Sequence, residues 1–256
     1  MNRLYTAFII AFFSIGITGA QKSFIDEWEA QIGYMNFQGD YGVRGDFGST
    51  LGNSGGTIGG KIYLNFLDYE RINCYSCTHL KFNIGFNTGY SALSYGNSYK
   101  DNMSVEGLKL QAISGQYYFF STGLNIEYHL ADLRNIDFFS SSFLNKFDPY
   151  IGIGGGITFY NADVESALGN LEKSPEIVPE PFKDRIYQGA GFTPMANLEL
   201  GIRYRFDEEL QFVFSNKWRY YFSDKVDGIE PNPEQADNLY NDWMFTPSFG
   251  VVIFIF

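Results

Sequence analysis

Histidine and cysteine are scarce in this chain: its 256 residues hold two of each. Hydrolysis or acyl transfer needs a nucleophile held beside a base, generally histidine. His79 and His129 fall at the same end of neighbouring predicted strands, so no Ser/His or Asp/His arrangement can be assembled at the opposite end. No catalytic residue is assigned, and a non-enzymatic role is the expectation. Also missing, past residue 20, is any apolar run near the ~20 residues that a membrane-spanning helix requires. Positive charge is in deficit as well. Eighteen Lys and Arg face 29 Asp and Glu, a net charge of −11, and no basic surface is left to neutralise the phosphates of a nucleic acid.

The first twenty residues read as a signal peptide. Arg3 supplies a positive start, Leu4–Ile17 is uncharged and mostly apolar, and Thr18 and Ala20 are the small residues a signal peptidase reads. The mature chain is expected to begin at Gln21, and no cysteine stands there to carry a lipid.

Aromatic residues are plentiful: 26 Phe and 19 Tyr bring the aromatic share to 19%. Mean hydropathy is nevertheless slightly negative. Many aromatics without long apolar runs indicate apolar residues spaced singly along strands. Eight segments alternate in this way with period two: 27–35, 57–66, 80–90, 118–128, 149–160, 197–206, 210–222 and 242–256. In 80–90, Leu80, Phe82, Ile84 and Phe86 oppose Lys81, Asn83, Gly85 and Asn87. The last six residues are apolar on both faces, which leaves their register open, and Pro247 removes a ladder donor.

A strand of about 9–11 residues crosses a bilayer obliquely, and a closed barrel leaves no unpaired backbone in lipid. The even count of eight predicts an all-β, eight-stranded antiparallel up-and-down transmembrane β-barrel of the outer-membrane type. The polar faces carry Glu29, Lys61, Lys81, Glu127, Glu199, Arg203, Arg205, Lys217 and Arg219. Such charges suit a lumen in which acids and bases pair while the apolar face meets lipid. An eight-stranded interior is just wide enough to be filled by side chains, so a plugged lumen is expected rather than a pore. A soluble sandwich is the competing fold; it would put the charges in solvent and the aromatics in one core.

With both termini periplasmic, the outward loops are expected near 36–56, 91–115, 161–193 and 223–241. Those at 161–184 and 223–238 hold many of the carboxylates and read as a solvated face beside lipopolysaccharide. Neither has calcium-loop spacing. The first loop contains Arg44-Gly45-Asp46, but adhesion and phosphate cradling are both set aside: no Lys-Ser/Thr pair opens a following helix, and glycine serves turns there.

Three stretches, "FDPYIGIGGGITFYN" (147–161), "IGYMNFQGDYG" (32–42) and "WRYYFSDKVDGI" (218–229), resemble small outer-membrane barrels of the Bacteroidota. That group includes PorG, associated with type 9 secretion, and a flavobacterial subgroup with a similar first loop. The resemblance implies a scaffold or anchor in an envelope complex, with type 9 secretion first. An accessory of barrel assembly or surface-lipoprotein export comes second, and a small pore or barrel enzyme is the remaining alternative. It implies protein partners in the envelope and transfers no functional residue; separately, no cofactor is expected. Cys74 and Cys77 are expected to form a disulfide in an oxidising compartment; free thiols, or a metal site with His79 and His129, are the alternatives.

Overall fold

The computed structural model describes residues 25–42, 47–64, 79–95, 103–131, 146–171, 173–207, 209–230 and 241–254. Eight antiparallel strands close on themselves in sequence order. They are β1 (Ile25–Gln38), β2 (Ser54–Leu64), β3 (Leu80–Ser94), β4 (Ile113–His129), β5 (Phe147–Ser166), β6 (Gly189–Arg205), β7 (Leu210–Tyr221) and β8 (Trp243–Phe254). β1 pairs with β8, so the sheet has no edge. That closure satisfies the backbone of every strand without water.

The outer surface is apolar. Ile32, Leu124 and Phe192 are 65%, 67% and 70% exposed, an arrangement stable only against hydrocarbon. Tyr34, Gly56, Tyr90 and Tyr118 form one hydrogen-bonded row near the long connections. Phe147, Tyr204 and Phe212 form another near the chain termini. From Tyr118 to Tyr128 a strand rises about 33 Å, which a tilt of ~40° reduces to ~25 Å, the height of the lipid-facing band of an outer-membrane barrel. The fold is a transmembrane β-barrel of the outer-membrane type.

Several strands run further than the alternation in the sequence indicates. β4 begins at Ile113 rather than 118, β5 continues to Ser166 rather than 160, and β6 starts at Gly189 rather than 197. In the extensions of β4 and β5 the faces exchange polarity: Asn161, Asp163 and Glu165 point outward, while Ala162, Val164, Ile113 and Tyr117 are buried inside; in β6, Phe192 still points outward and Thr193 inward. Beyond the bilayer the outer solvent is water, and the barrel adopts the sidedness of a soluble one.

The register of β8 places Val252 inside and Val251 and Ile253 outside. Pairing of β1 with β8 lapses between Gly33–Ser248 and Asn36–Phe245, the interval that contains Pro247, as its missing N–H requires.

At the end that holds the termini, β6 and β7 are joined by a tight turn in which Asp207 Oδ1 accepts from the backbone N–H groups of Glu209 and Leu210 at 2.9 and 2.7 Å. The other end carries the long connections. One includes a single helical turn (Phe47–Thr50) and another a helix (Val105–Ala112) capped by Ser104. The last two long connections pair through Ile186 and Ile229. Gly228 has φ +90°, and a Cβ there would meet Val164 as well, so only glycine fits this crossing.

Candidate functional site

The lumen holds the candidate functional groups, and strand register sets their level. Glu127, Gly152, Glu199 and Lys217 are successive cross-strand partners from β4 to β7, and Glu29 stands opposite Lys61 on β1 and β2. Gly152 leaves the wall open between the two glutamates; a Cβ there would lie 3.3 Å from Glu127 Cγ and 3.5 Å from Glu199 Cβ. Lys61 reaches across the interior toward this opening. Its Nζ lies 2.9 Å from Glu127 Oε1, 2.7 Å from Glu199 Oε1 and 3.4 Å from Glu29 Oε1. Glu199 also receives Lys217 at 3.2 Å and the Tyr150 hydroxyl at 2.7 Å.

Toward the termini Arg203 replaces Lys61 as the hub. Its Nη1 donates to Glu27 Oε2 at 2.7 Å and its Nη2 to Glu127 Oε2 at 3.2 Å, while the guanidinium lies 4.6 Å from the Tyr63 ring centroid. Lys81 pairs with Glu27, and Arg205 lies 3.6 Å from Asp148. His129 sits between acids, Nδ1 2.8 Å from Asp148 Oδ2 and Nε2 3.3 Å from Glu127 Oε2. His79 contacts the His129 carbonyl at 2.9 Å. Five carboxylates, Glu27, Glu29, Glu127, Asp148 and Glu199, thus share Lys61, Lys81, Arg203, Arg205 and Lys217. Arg219, on the same face of β7, forms no ion pair with them.

Glu27, Asp148, Tyr63 and Tyr150 are members of this cluster that the sequence reading leaves out. Glu27 begins the first alternating run on the same face as Glu29, and Asp148 lies one residue before the predicted start of its strand. Tyr63 and Tyr150 share the parity of Lys61 and Gly152 and so fall on the lumen face, but carry no charge to mark them. The Tyr150 ring fills the space above its partner Gly201, where any Cβ would collide with it. Cys74 and Cys77, and with them the disulfide and metal expectations, lie outside the described residues, as do Arg44–Asp46 and most of the 130–146 connection. Among the described residues no group of three His, Cys, Asp or Glu side chains could hold a metal ion.

Above the charged level comes a band of small polar side chains. Ser121 pairs with Thr158 at 2.8 Å and Ser215 with Ser248 at 2.9 Å, and Asn125 donates to Asn83 at 2.8 Å. Above that band an apolar and aromatic cluster packs beside buried Gln38, Asn53, Asp227 and Asp242. Met35, Phe37, Tyr41, Tyr117, Tyr221, Val226 and Met244 are fully buried, and Val178, Phe182 and Ile229 from the long connections are buried against them. Phe37 and Tyr117 are 4.9 Å apart, and the Tyr117 hydroxyl donates to that of Tyr221 at 3.0 Å. Burial, then Asp227, Asp40 and Asp163, push the Tyr41 hydroxyl well above its ordinary pKa, so it stays neutral. The lumen is therefore filled at two levels by different chemistry.

No protein-family model matches the chain, and no curated protein matches it. Among solved structures it is similar to Neisserial surface protein A, at 12% identity over 90% of this chain and 97% of that one, with a TM-score of 0.46. A major outer membrane protein from Thermus thermophilus gives 12% identity over 89% and 98%, TM-score 0.46. The outer membrane enzyme PagL gives 10% over 89% and 98%, TM-score 0.34. The likeness to all three is one of fold.

Proposed function

We propose that this chain is a non-conducting, non-enzymatic outer-membrane anchor that presents its long connections to partners in a Bacteroidota envelope complex. Its termini and tight turns face the periplasm in this reading, and the long connections face outward, with Asp163 and Glu165 at the level of the lipopolysaccharide headgroups. The observation that carries it is the lumen. Paired charges fill one level and packed aromatics the next, so the exposed loop surface is what remains for function.

Type 9 secretion is the first assignment, on the likeness of 32–42, 147–161 and 218–229 to that group. An accessory of barrel assembly or surface-lipoprotein export is the second. Against a barrel enzyme, both histidines lie at the mouth near the termini, and His129 is engaged by Asp148 and Glu127.

Affinity purification from native membranes after mild crosslinking tests the anchor reading. An envelope protein is expected to co-purify in near-stoichiometric amount; recovery of the barrel alone overturns the reading. In planar bilayers the purified protein is expected to give no steady conductance.

A further inference from the structure

Among the described residues, Arg219 is a lumen charge without an ion-pair partner. It is 3% exposed, and its Nε and Nη1 find no hydrogen-bond acceptor among the described residues. No described carboxylate stands within ion-pair distance. The Phe119 ring lies 5.2 Å from the guanidinium carbon, and the Tyr221 hydroxyl is beside it. A buried cation is retained only if something compensates it. Arg203, sixteen residues earlier on β6, has Glu27, Glu127 and Glu29 around it; among the described residues Arg219 has no such ring, and buried Asp242, two residues before its β8 partner Met244, forms no ion pair with it. Its cross-strand partners are Asn197 and Met244.

Next to Arg219 is a cavity of about 20 Å³ between the charged level and the apolar one. Lys217, Asn87, Asn125, Asn197 and Ser121 line it with Arg219, and no carboxylate does. The Lys217 ammonium already shares Glu199 with Lys61, so the local balance stays positive. The volume exceeds the 10–15 Å³ that holds one water, and a single small ion fits it.

We propose that this cavity binds a single monatomic anion, a halide such as chloride, as the counter-ion of Arg219. The lining supplies cationic and neutral donors, as anion binding requires. Bound there, the ion serves as a structural component of the lumen. This inference is independent of which partner the loops bind.

The test uses the full mature barrel, refolded from urea into detergent in sodium bromide. Crystals are expected to show a bromide anomalous peak in the cavity, within reach of Arg219. Its absence, or a water molecule at full occupancy in its place, overturns the proposal. In parallel, urea midpoints are compared in sodium chloride and sodium gluconate at equal ionic strength. The wild-type midpoint is expected to be higher in chloride and to climb with the logarithm of chloride concentration. In Arg219→Gln the chloride advantage is expected to vanish, whereas the surface variant Lys225→Gln keeps it. An equal chloride response in Arg219→Gln and wild type refutes the site. If Arg219→Gln does not refold, the bromide diffraction on wild type decides alone.

Discussion

Lys61 shows how much of the lumen rests on one side chain. It has almost no exposed surface and touches three glutamates from three other strands. Buried ion pairs contribute little net stability relative to a well-packed apolar core, but removing one partner leaves the rest uncompensated at about 3–5 kcal/mol. Lys61→Met is therefore expected to lower barrel stability by about that amount in urea titrations. Lys109→Met, whose ammonium pairs with Glu106 outside the barrel, is expected to change it by less than ~1 kcal/mol. The charges were legible in the sequence because each interrupts an apolar alternation. Their partners were less so. Nothing local says that Lys61 reaches Glu199, 138 positions away; that contact follows from closure of the sheet and from the opening at Gly152. Tyr63 and Tyr150 escaped for a related reason, since a tyrosine has an apolar body and a polar tip and suits either face.

At the scale of elements, the strands were readable wherever lipid and lumen impose opposite demands on their two faces. All eight alternating segments correspond to strands, and the predicted edges fail mainly at the loop end of β4, β5 and β6. In β4 and β5 the alternation continues there with its sign reversed. Ile113, Tyr117, Ala162 and Val164 point inward, and a search for one constant sidedness stops at the bilayer surface. The connections are also tied to each other. Glu106, in the helix Val105–Ala112, accepts a hydrogen bond from the Glu180 backbone N–H at 2.9 Å. That bond, followed by Lys109, holds the Glu106 carboxyl below the ordinary glutamate value. A carboxyl lowered in the folded state stabilises it fully above its unfolded pKa, and the contribution fades as pH falls through the folded pKa. Protection of the Glu180 amide from hydrogen exchange, corrected for intrinsic rate, is expected at pH 6, to weaken below the ordinary glutamate range, and to be lost in Glu106→Ala at either pH.

For the whole molecule, the consequence of two filled levels is that they act as seals in series. Ion flow through a pore is limited by its most resistant segment, so opening one level leaves the other in control. Lys61→Ala and Arg203→Ala together would empty much of the charged level, yet Phe37, Tyr117 and Tyr221 would still fill the lumen above it. Conversely, Tyr117→Ala with Tyr221→Ala would thin the apolar level while Lys61 still bridged to Glu127 and Glu199. Each double variant is expected to stay electrically silent in planar bilayers. Only the quadruple variant, which opens both levels, is expected to show discrete current steps, with circular dichroism confirming that its strand content survives. Steady conductance from either double variant would mean that one level alone closes the barrel and that the other has a different purpose. The two levels also answer to different solvents. The charged one lies at the depth where hydrocarbon surrounds the strands and the interior is the refuge for ions. The aromatic one lies where water surrounds them and apolar groups must turn inward, so the position of the membrane surface determines where one seal gives way to the other.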